Sequence, residues 1–424
     1  MIGEPIGKCM NIKNNILVIA ESIDVNATSG AKANVALINA LLLCNYTVTV
    51  LHYTRKNILL PHINCINIKE NKSSLYYFLS RAQRVFQRIT KINISTNLER
   101  IFGHSFTFYN DSKSITKTIN KHYNNHDLII TLSQGASFRP HHAMLSLPKL
   151  YNKWLAYVHD PYPFHYYPKP YNWVEAGYKQ KEEFFRTVSE SAKYSAFPSQ
   201  LLKEWMGQFF PKFLDTGLII PHQQLKIDIL QDLGEFNSLL DEDTFTLLHA
   251  GNLMKQRPPL SLINAYKKFL KANPKAKQDS RLLLIGPASY HKKTLEKESK
   301  LLPQLKLHLE SIPFKIVNTL QHNVSVNIIL ESNSEISPFL PGKFPHCVYA
   351  NKPILAISPQ KSEVRRLLGS GYSFITEVNN TKKMVELIEK MYLNWSINKD
   401  ESLNRKDLES YLSIEYLKSI IEKI

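Results

Sequence analysis

Four short stretches of the chain place chemically useful side chains directly after apolar runs. Trp154 to Val158 is followed by His159 and Asp160, and Arg281 to Ile285 by Gly286. Thr246 to Ala250 leads to Gly251, Asn252 and, after a polar loop, Arg257. The run beginning at Val326 leads through a proline-containing loop to Gly342 and Lys343. An imidazole exchanges a proton near neutral pH, and an adjacent carboxylate orients it or stabilises developing positive charge. Two cations beside glycines that leave backbone N–H groups open suit a diphosphate. Each feature alone has a plainer reading: a structural histidine, a surface cation, an ordinary βαβ connection. Their joint placement points to a diphosphate held by Arg257 and Lys343, with close approach at Gly251, Gly286 and Gly342. Lys343 also opens a short helix predicted over 343–350, whose amino end favours an anion.

For these residues to meet, the apolar runs must be parallel strands of shared sheets, with loops at their carboxyl ends. Asn15 to Ala20 reads as such a strand, followed by a polar loop ending at Gly30, a helix over Ala31 to Cys44 and a strand over Thr47 to Leu51. That is the opening of a doubly wound α/β domain. Without G-x-G-x-x-G it argues against a dinucleotide, and Gly30 instead lets a ligand approach the backbone. Asp127 to Leu132 is a further strand, and the loop 133–142 after it holds His141 and His142, candidate contacts for an acceptor. The segment from Tyr162 to Trp173 is dense in proline and aromatic rings. Its rings, Tyr162 first, either stack on the C–H face of a sugar or stiffen a long loop.

Gly217 to His222 closes the first half as its last strand, and Gln223 to Asp243 reads as an acidic linker. The pattern then restarts, with a helix over Pro258 to Ala272, strands from Arg281, Val326 and Ile354, and helices over Val364 to Leu368 and Thr381 to Tyr392. An amphipathic helix over Leu403 to Ile424 ends the chain. The expected divisions are an acceptor-binding domain over 1–222, a linker over 223–243, a donor-binding domain over 244–400 and a terminal helix over 401–424, packing back on the first domain.

At 424 residues, with 43% hydrophobic and 21% charged side chains, the chain reads as a globular protein of more than one domain. The longest apolar run, Val35 to Leu43, is too short to span a bilayer, and the first ten residues lack the layout of an export signal. Four scattered cysteines read as reduced thiols, and the expected location is the cytoplasm. Neither a Cys/His cluster nor H-E-x-x-H is present, so no metal is expected. The net charge of +17 calls for acidic partners, and residues 51–100 carry nine Lys/Arg against two Asp/Glu. No zinc-finger or RNP signature accompanies that charge, which leaves anionic lipid or phosphorylated small molecules rather than nucleic acid. Within that segment Ser73 to Lys91 reads as a helix with one apolar stripe, Leu75, Phe78, Leu79, Ala82, Val85, Phe86 and Ile89. Either the stripe packs inward and Arg81, Arg84 and Arg88 form a solvated face, or the helix is monotopic and rests on anionic lipid, and both hold if the stripe packs inward and only the arginines touch headgroups.

In their order and spacing these stretches resemble the GT-B glycosyltransferases of the retaining, family-four-like kind. The residues that carry the resemblance are Gly30, LSQGASFRPHH at 132–142, WLAYVHDPYP at 154–163, FPS at 197–199, IIPH at 219–222, HAGNLMKQRP at 249–258, LIGP at 284–287 and SPFLPGKFPHCVYANKPIL at 337–355. The resemblance implies two facing Rossmann-like domains, a nucleotide-sugar donor held mainly by the C-terminal one, an acceptor held by the N-terminal one, and no metal. It sets Gly30, Gly251, Asn252, Arg257, Gly286, Gly342, Lys343 and His346 on the donor side, with His159 and Asp160 facing the reacting sugar. His141, His142 and Tyr162 fall on the acceptor side. The chain departs from the family at Pro338 and His346, where glutamates are frequent, and at Asn351 and Asn252, where a glycine and a basic residue are frequent.

The function expected from these readings is transfer of a sugar from a nucleoside diphosphate to a glycan or lipid-linked acceptor, in cell-surface polysaccharide assembly at the inner face of the membrane. Two rivals stand beside it. A UDP-sugar 2-epimerase shares the architecture and needs carboxylate acid/base groups in the cleft. A catalytically silent membrane scaffold is the other, raised by the missing glutamates.

Overall fold

The computed structural model describes residues 14–171, 173–241 and 243–424. Cys9, the rest of the N-terminal stretch and Glu242 of the expected linker lie outside them.

Near-continuous β-branched and aliphatic runs form strands buried on both faces, as a parallel sheet covered by helices requires. The first sheet has 7 strands, β1 (Asn15–Ala20), β2 (Thr47–His52), β3 (Asn64–Asn67), β4 (Leu128–Leu132), β5 (Trp154–Tyr157), β6 (Tyr194–Phe197) and β7 (Gly217–Ile219). Their order is β3-β2-β1-β4-β5-β6-β7, all parallel. The second has 6, β8 (Phe245–Ala250), β9 (Ser280–Ile285), β10 (Leu305–His308), β11 (Val326–Leu330), β13 (Ile354–Ile357) and β15 (Ile375–Thr376), in the order β10-β9-β8-β11-β13-β15. Two further short strands, β12 (Ile336–Ser337) and β14 (Lys361–Ser362), pair with each other. Each sheet reverses direction once, between β1 and β4 and between β8 and β11, and such switch points open a crevice at the carboxyl ends of the strands. The expected α/β class with two doubly wound sheets is what the chain adopts.

Three expectations fail. The stretch 133–142 is not loop throughout: Pro140, which fits a first helical turn, helps start a helix over Arg139–Met144 that carries His141 and His142. The C-terminal helix is two, Lys406–Tyr411 and Ile414–Ile421, because the Ser413 hydroxyl caps Tyr416 N–H and starts a new helix. The first packs by Leu408 and Leu412 in the second half, and the second by Leu417 and Ile421 against the first sheet. The apolar stripe of the basic helix, here α2 (Leu75–Thr90), points outward. Its buried residue is Ser80, and Gln83 and Gln87 turn toward Ser95, while Leu75, Phe78, Val85, Phe86 and Ile89 are exposed. Periodicity shows that these residues share a face but not which way the face points.

A carboxylate joins the halves. Glu363, wholly buried, accepts hydrogen bonds from the N–H groups of Gln200 and Leu201 at 3.2 Å each, at the amino end of the helix Gln200–Gly207. Arg366 holds the same carboxylate, and Ser199, which caps that helix, donates to the Pro338 carbonyl at 2.5 Å. Orphan N–H groups and the helix dipole thus meet a negative charge from the opposite half. Glu363→Ala leaves those donors unpaired across the junction and is expected to cost about 2–3 kcal/mol. Thermal unfolding should show a clearly lower midpoint, with Glu363→Gln falling between; an unchanged midpoint for Glu363→Ala would refute the clamp.

Candidate active site

The glycines after β8 and β9 stack on each other. Gly251 (φ +151°) and Gly286 (φ +122°) hold backbone angles that side chains rarely adopt, and a Cβ on Gly286 would lie 2.6 Å from the Gly251 carbonyl oxygen. A Cβ on Gly251 would come within 3.1 Å of Lys343 Nζ. The three strand-end elements therefore converge, with the lysine ammonium lying over the glycine backbone. Gly342 does not join this stack: it is exposed, with open space where a Cβ would be. Asn252 is exposed as well.

Lys343 Nζ lies 3.3 Å from Nδ1 of His249, a buried residue of β8, and forms no ion pair among the described residues. Burial, with Arg257 adding like charge, lowers the Lys343 pKa to about 7. The same burial and the two cations drive His249 well below the usual histidine range, so its imidazole is neutral and accepts from the ammonium. Arg257 has a buried Nε without a hydrogen-bond partner among the described residues. Its charge acts on Lys343 and His249, on Glu331 in the second half and on Asp160 from the first. The expected convergence of Arg257 and Lys343 is therefore present.

Opposite them, His159 and Asp160 follow β5. Asn34, on the helix α1 (Ser29–Leu43), uses both amide hydrogens on the carbonyls of Ser22 and Ser133, at 3.1 Å each. Its Oδ1 is thereby left to accept, and His159 Nε2 donates to it at 2.9 Å. The tautomer follows: Nδ1 of His159 carries a lone pair, and it is buried without a partner among the described residues. Burial and the neighbouring rings of His222 and His141 hold His159 far below its usual pKa. Such an imidazole is a fixed hydrogen-bond acceptor, so the expectation of a proton exchanged near neutral pH does not hold for it. Asp160, half-buried, is raised by burial to about 6 against the pull of Arg257.

Sequence reasoning sets His346 on the donor side of this cleft and misses Lys32, His222 and Glu331. Lys32, two positions beyond Gly30, stands 5.2 Å from the centre of the Phe314 ring, and burial lowers its pKa. His346 packs edge-on to that same ring at 4.7 Å, with Nδ1 buried and unpartnered, and burial followed by Lys32 takes it to about 3. His222, stacked 5.7 Å from His159, faces the same space. Glu331, at the end of β11, is raised to about 7 by burial, although Ser337 and Ser362 donate to its two oxygens at 2.6 and 2.7 Å. The signal available for Glu331 was its position directly after a strand. Gly30 lies in the first turn of α1, and a Cβ there would stand at ordinary contact, 3.5 Å, from the Gly135 nitrogen, so nothing in the protein demands a glycine.

The acceptor residues fare differently. His141 is fully buried and bonded to the Tyr157 carbonyl at 3.1 Å. Tyr162 is buried with its hydroxyl 3.0 Å from His104 Nε2, and His142 is wedged among Phe108, Tyr109 and Phe184. These three belong to the core, because the chain that carries His141 and His142 is helical and turns them inward. The open space is next door, a pocket of about 460 Å³ at the β1/β4 switch point. Glu21, Tyr53, Arg55, Asp111 and Arg139 line it. Arg139 pairs with Glu21 and lies 3.0 Å from Asp111, which also accepts from Tyr53 at 2.6 Å. Ser22 lines the pocket too, and its carbonyl holds the Asn34 that orients His159.

No family model matches the chain, and no curated protein matches it in sequence. Many solved structures match in fold. A sucrose-phosphate synthase from Thermosynechococcus elongatus has a TM-score of 0.65 at 12% identity, over 97% of this chain and 98% of that one. A trehalose-6-phosphate protein from E. coli bound with UDP-2-fluoro glucose has 0.60 at 12%, over 97% and 99%. Anabaena HepE in complex with UDP and glucose has 0.59 at 12%, over 96% and 98%. At such identities the likeness is one of fold, and it extends over nearly the whole of both chains: this protein has the GT-B fold, two Rossmann-like halves facing across a cleft.

Proposed function

We propose that the chain is a glycosyltransferase that moves a sugar from a nucleoside diphosphate to a hydroxyl of a glycan or lipid-linked acceptor. The observation that carries this reading is the half-buried Lys343 ammonium, without an ion pair among the described residues, over Gly251 and within the field of Arg257, which also acts on Asp160 of the other half. A diphosphate supplies the charge that both cations lack. The trehalose-6-phosphate protein and HepE, which share the fold, are bound with UDP-2-fluoro glucose and with UDP and glucose, and a UDP-sugar is the donor proposed here.

In this reading the bond between the sugar's anomeric carbon and the diphosphate oxygen breaks, and its electron pair leaves with the diphosphate. Arg257, Lys343 and backbone N–H groups stabilise the growing negative charge, as preorganised donors do in a water-poor site. No metal is needed for that task. The acceptor oxygen bonds to the anomeric carbon and its proton passes to the departing phosphate. His159 Nδ1 accepts a hydroxyl of the donor sugar, and Asp160 faces the positive charge that develops on the ring. The polar pocket beside Asn34 receives the acceptor. Retention of configuration, and a place in cell-surface polysaccharide assembly in the cytoplasm, follow from the family resemblance. The epimerase reading needs free carboxylates, and with both Glu331 oxygens taken by serines Asp160 stands alone.

Arg257→Ala and Lys343→Ala are each expected to lower kcat/KM by about 10²–10³-fold while the fold persists. The assay is acceptor-dependent release of nucleoside diphosphate from a panel of activated sugars. Interconversion of the donor without acceptor would favour the epimerase, and binding without turnover the scaffold.

A second prediction concerns pH. Lys343 titrates near 7 in the free protein, and only its charged form attracts phosphate. Affinity for a UDP-sugar, whose doubly esterified diphosphate does not itself titrate near neutral pH, is therefore full below that value and falls as pH rises above it, approaching tenfold per pH unit. Lys343→Arg, charged throughout, should abolish the dependence in a calorimetric titration. A flat profile in the unaltered protein would show that the lysine does not meet the phosphate.

A further inference from the structure

The exposed stripe of α2 continues onto its neighbour. Leu75, Phe78, Val85, Phe86 and Ile89 are 68, 60, 55, 43 and 75% exposed, and Ile92 in the turn is 58% exposed. The next helix, α3 (Ser95–Phe102), buries no residue and adds Ile101 at 68% and Phe102 at 46%. A soluble helix turns such a stripe inward, whereas this one packs by Ser80, Gln83 and Gln87. Arg81, Arg84 and Arg88 line the flank of the stripe, and Lys91 and Arg100 are exposed beside it. The acids nearby are engaged: Glu70 lies 3.7 Å from Arg81, and Glu99 3.6 Å from Lys181.

We propose that α2 and α3 form a docking face that lies in the surface of an anionic bilayer, with the apolar stripe among the acyl chains and the arginines at the headgroups. Charge decides the occupant. A second copy pairing through the same face would set arginines against arginines, whereas acidic headgroups neutralise them around an apolar interior. The face also adjoins the acceptor pocket: Arg84 donates to the Thr107 hydroxyl at 3.1 Å, and Thr107 lines that pocket. Docked this way, the protein holds the mouth of the pocket at headgroup level, where a lipid-linked hydroxyl compound is presented. The docking itself does not depend on the sugar-transfer reading.

The test is sedimentation of the full chain with phosphatidylcholine vesicles, with and without phosphatidylglycerol. Binding is expected only with phosphatidylglycerol, and to weaken with salt. Arg81→Glu and Arg88→Glu should each lower partitioning by fivefold or more, starting from roughly fivefold per basic residue near such a surface. Phe78→Asp with Ile89→Asp should abolish binding, with thermal midpoints unchanged because these side chains are already in water. Absence of binding, or binding indifferent to all four substitutions, overturns the proposal. So does a dimer in solution that the Phe78→Asp and Ile89→Asp pair dissociates, which would identify a second copy as the occupant. UDP release in solution reads the transfer activity separately, so loss of docking and loss of that reading are distinguishable.

Discussion

Lys343 Nζ stands over the backbone of Gly251, 3.3 Å from a neutral histidine, and no carboxylate of the described residues pairs with it. Placing an ammonium there costs desolvation, which its lowered pKa records. Much of the second sheet serves this placement. Gly251 and Gly286 need unusual backbone angles and bare Cα atoms so that the loops after β8 and β9 can stack beneath it. His249 offers a lone pair where a carboxylate would form a permanent ion pair and fill the site. Glu331, a carboxylate of the same half within the field of Arg257, is kept occupied by two serines. The result is positive charge held ready for an anion that arrives from outside.

The first half answers with hydrogen-bond geometry rather than charge. Asn34 commits its amide hydrogens to two carbonyls, which turns its oxygen to His159 and leaves the histidine's Nδ1 lone pair without a partner among the described residues. This relay lies wholly within the first half, and the buried Glu363 contact with the helix at Gln200 ties that half to the second. Electrostatic pull and directional acceptance thus come from different sheets, and the cleft is where they meet.

The sheets were legible because buried parallel strands write themselves as short apolar runs, such as NILVIA and TLLHA, with chemistry directly after them. His159 and Asp160 were singled out by that rule, and Arg257 and Lys343 as the cations in or after the loops that follow such runs. His249 and Asn34 were not, since one lies inside a strand and the other inside a helix, where a polar side chain reads as an ordinary interior or surface residue. His141 and His142 misled because a proline in the first helical turn and a proline in a loop look alike in sequence. The α2 stripe misled for a different reason: amphipathic period is blind to direction, and only the glutamines on its other face, bonded to Ser95, reveal which side packs.

The departures from the family pattern make physical sense once the cleft is seen. A glutamate at position 346 would stand beside Lys32 and the ring of Phe314, and in so desolvated a place it would either pair with Lys32 or take up a proton. His346 avoids both outcomes. Burial and Lys32 hold it neutral, and its Nδ1 is without a partner among the described residues. Lys32 itself stands over the Phe314 ring, 5.2 Å from its centre. The exchange of glutamate for histidine therefore leaves Lys32 without a carboxylate beside it among the described residues, and the electrostatic balance of this part of the cleft on the positive side.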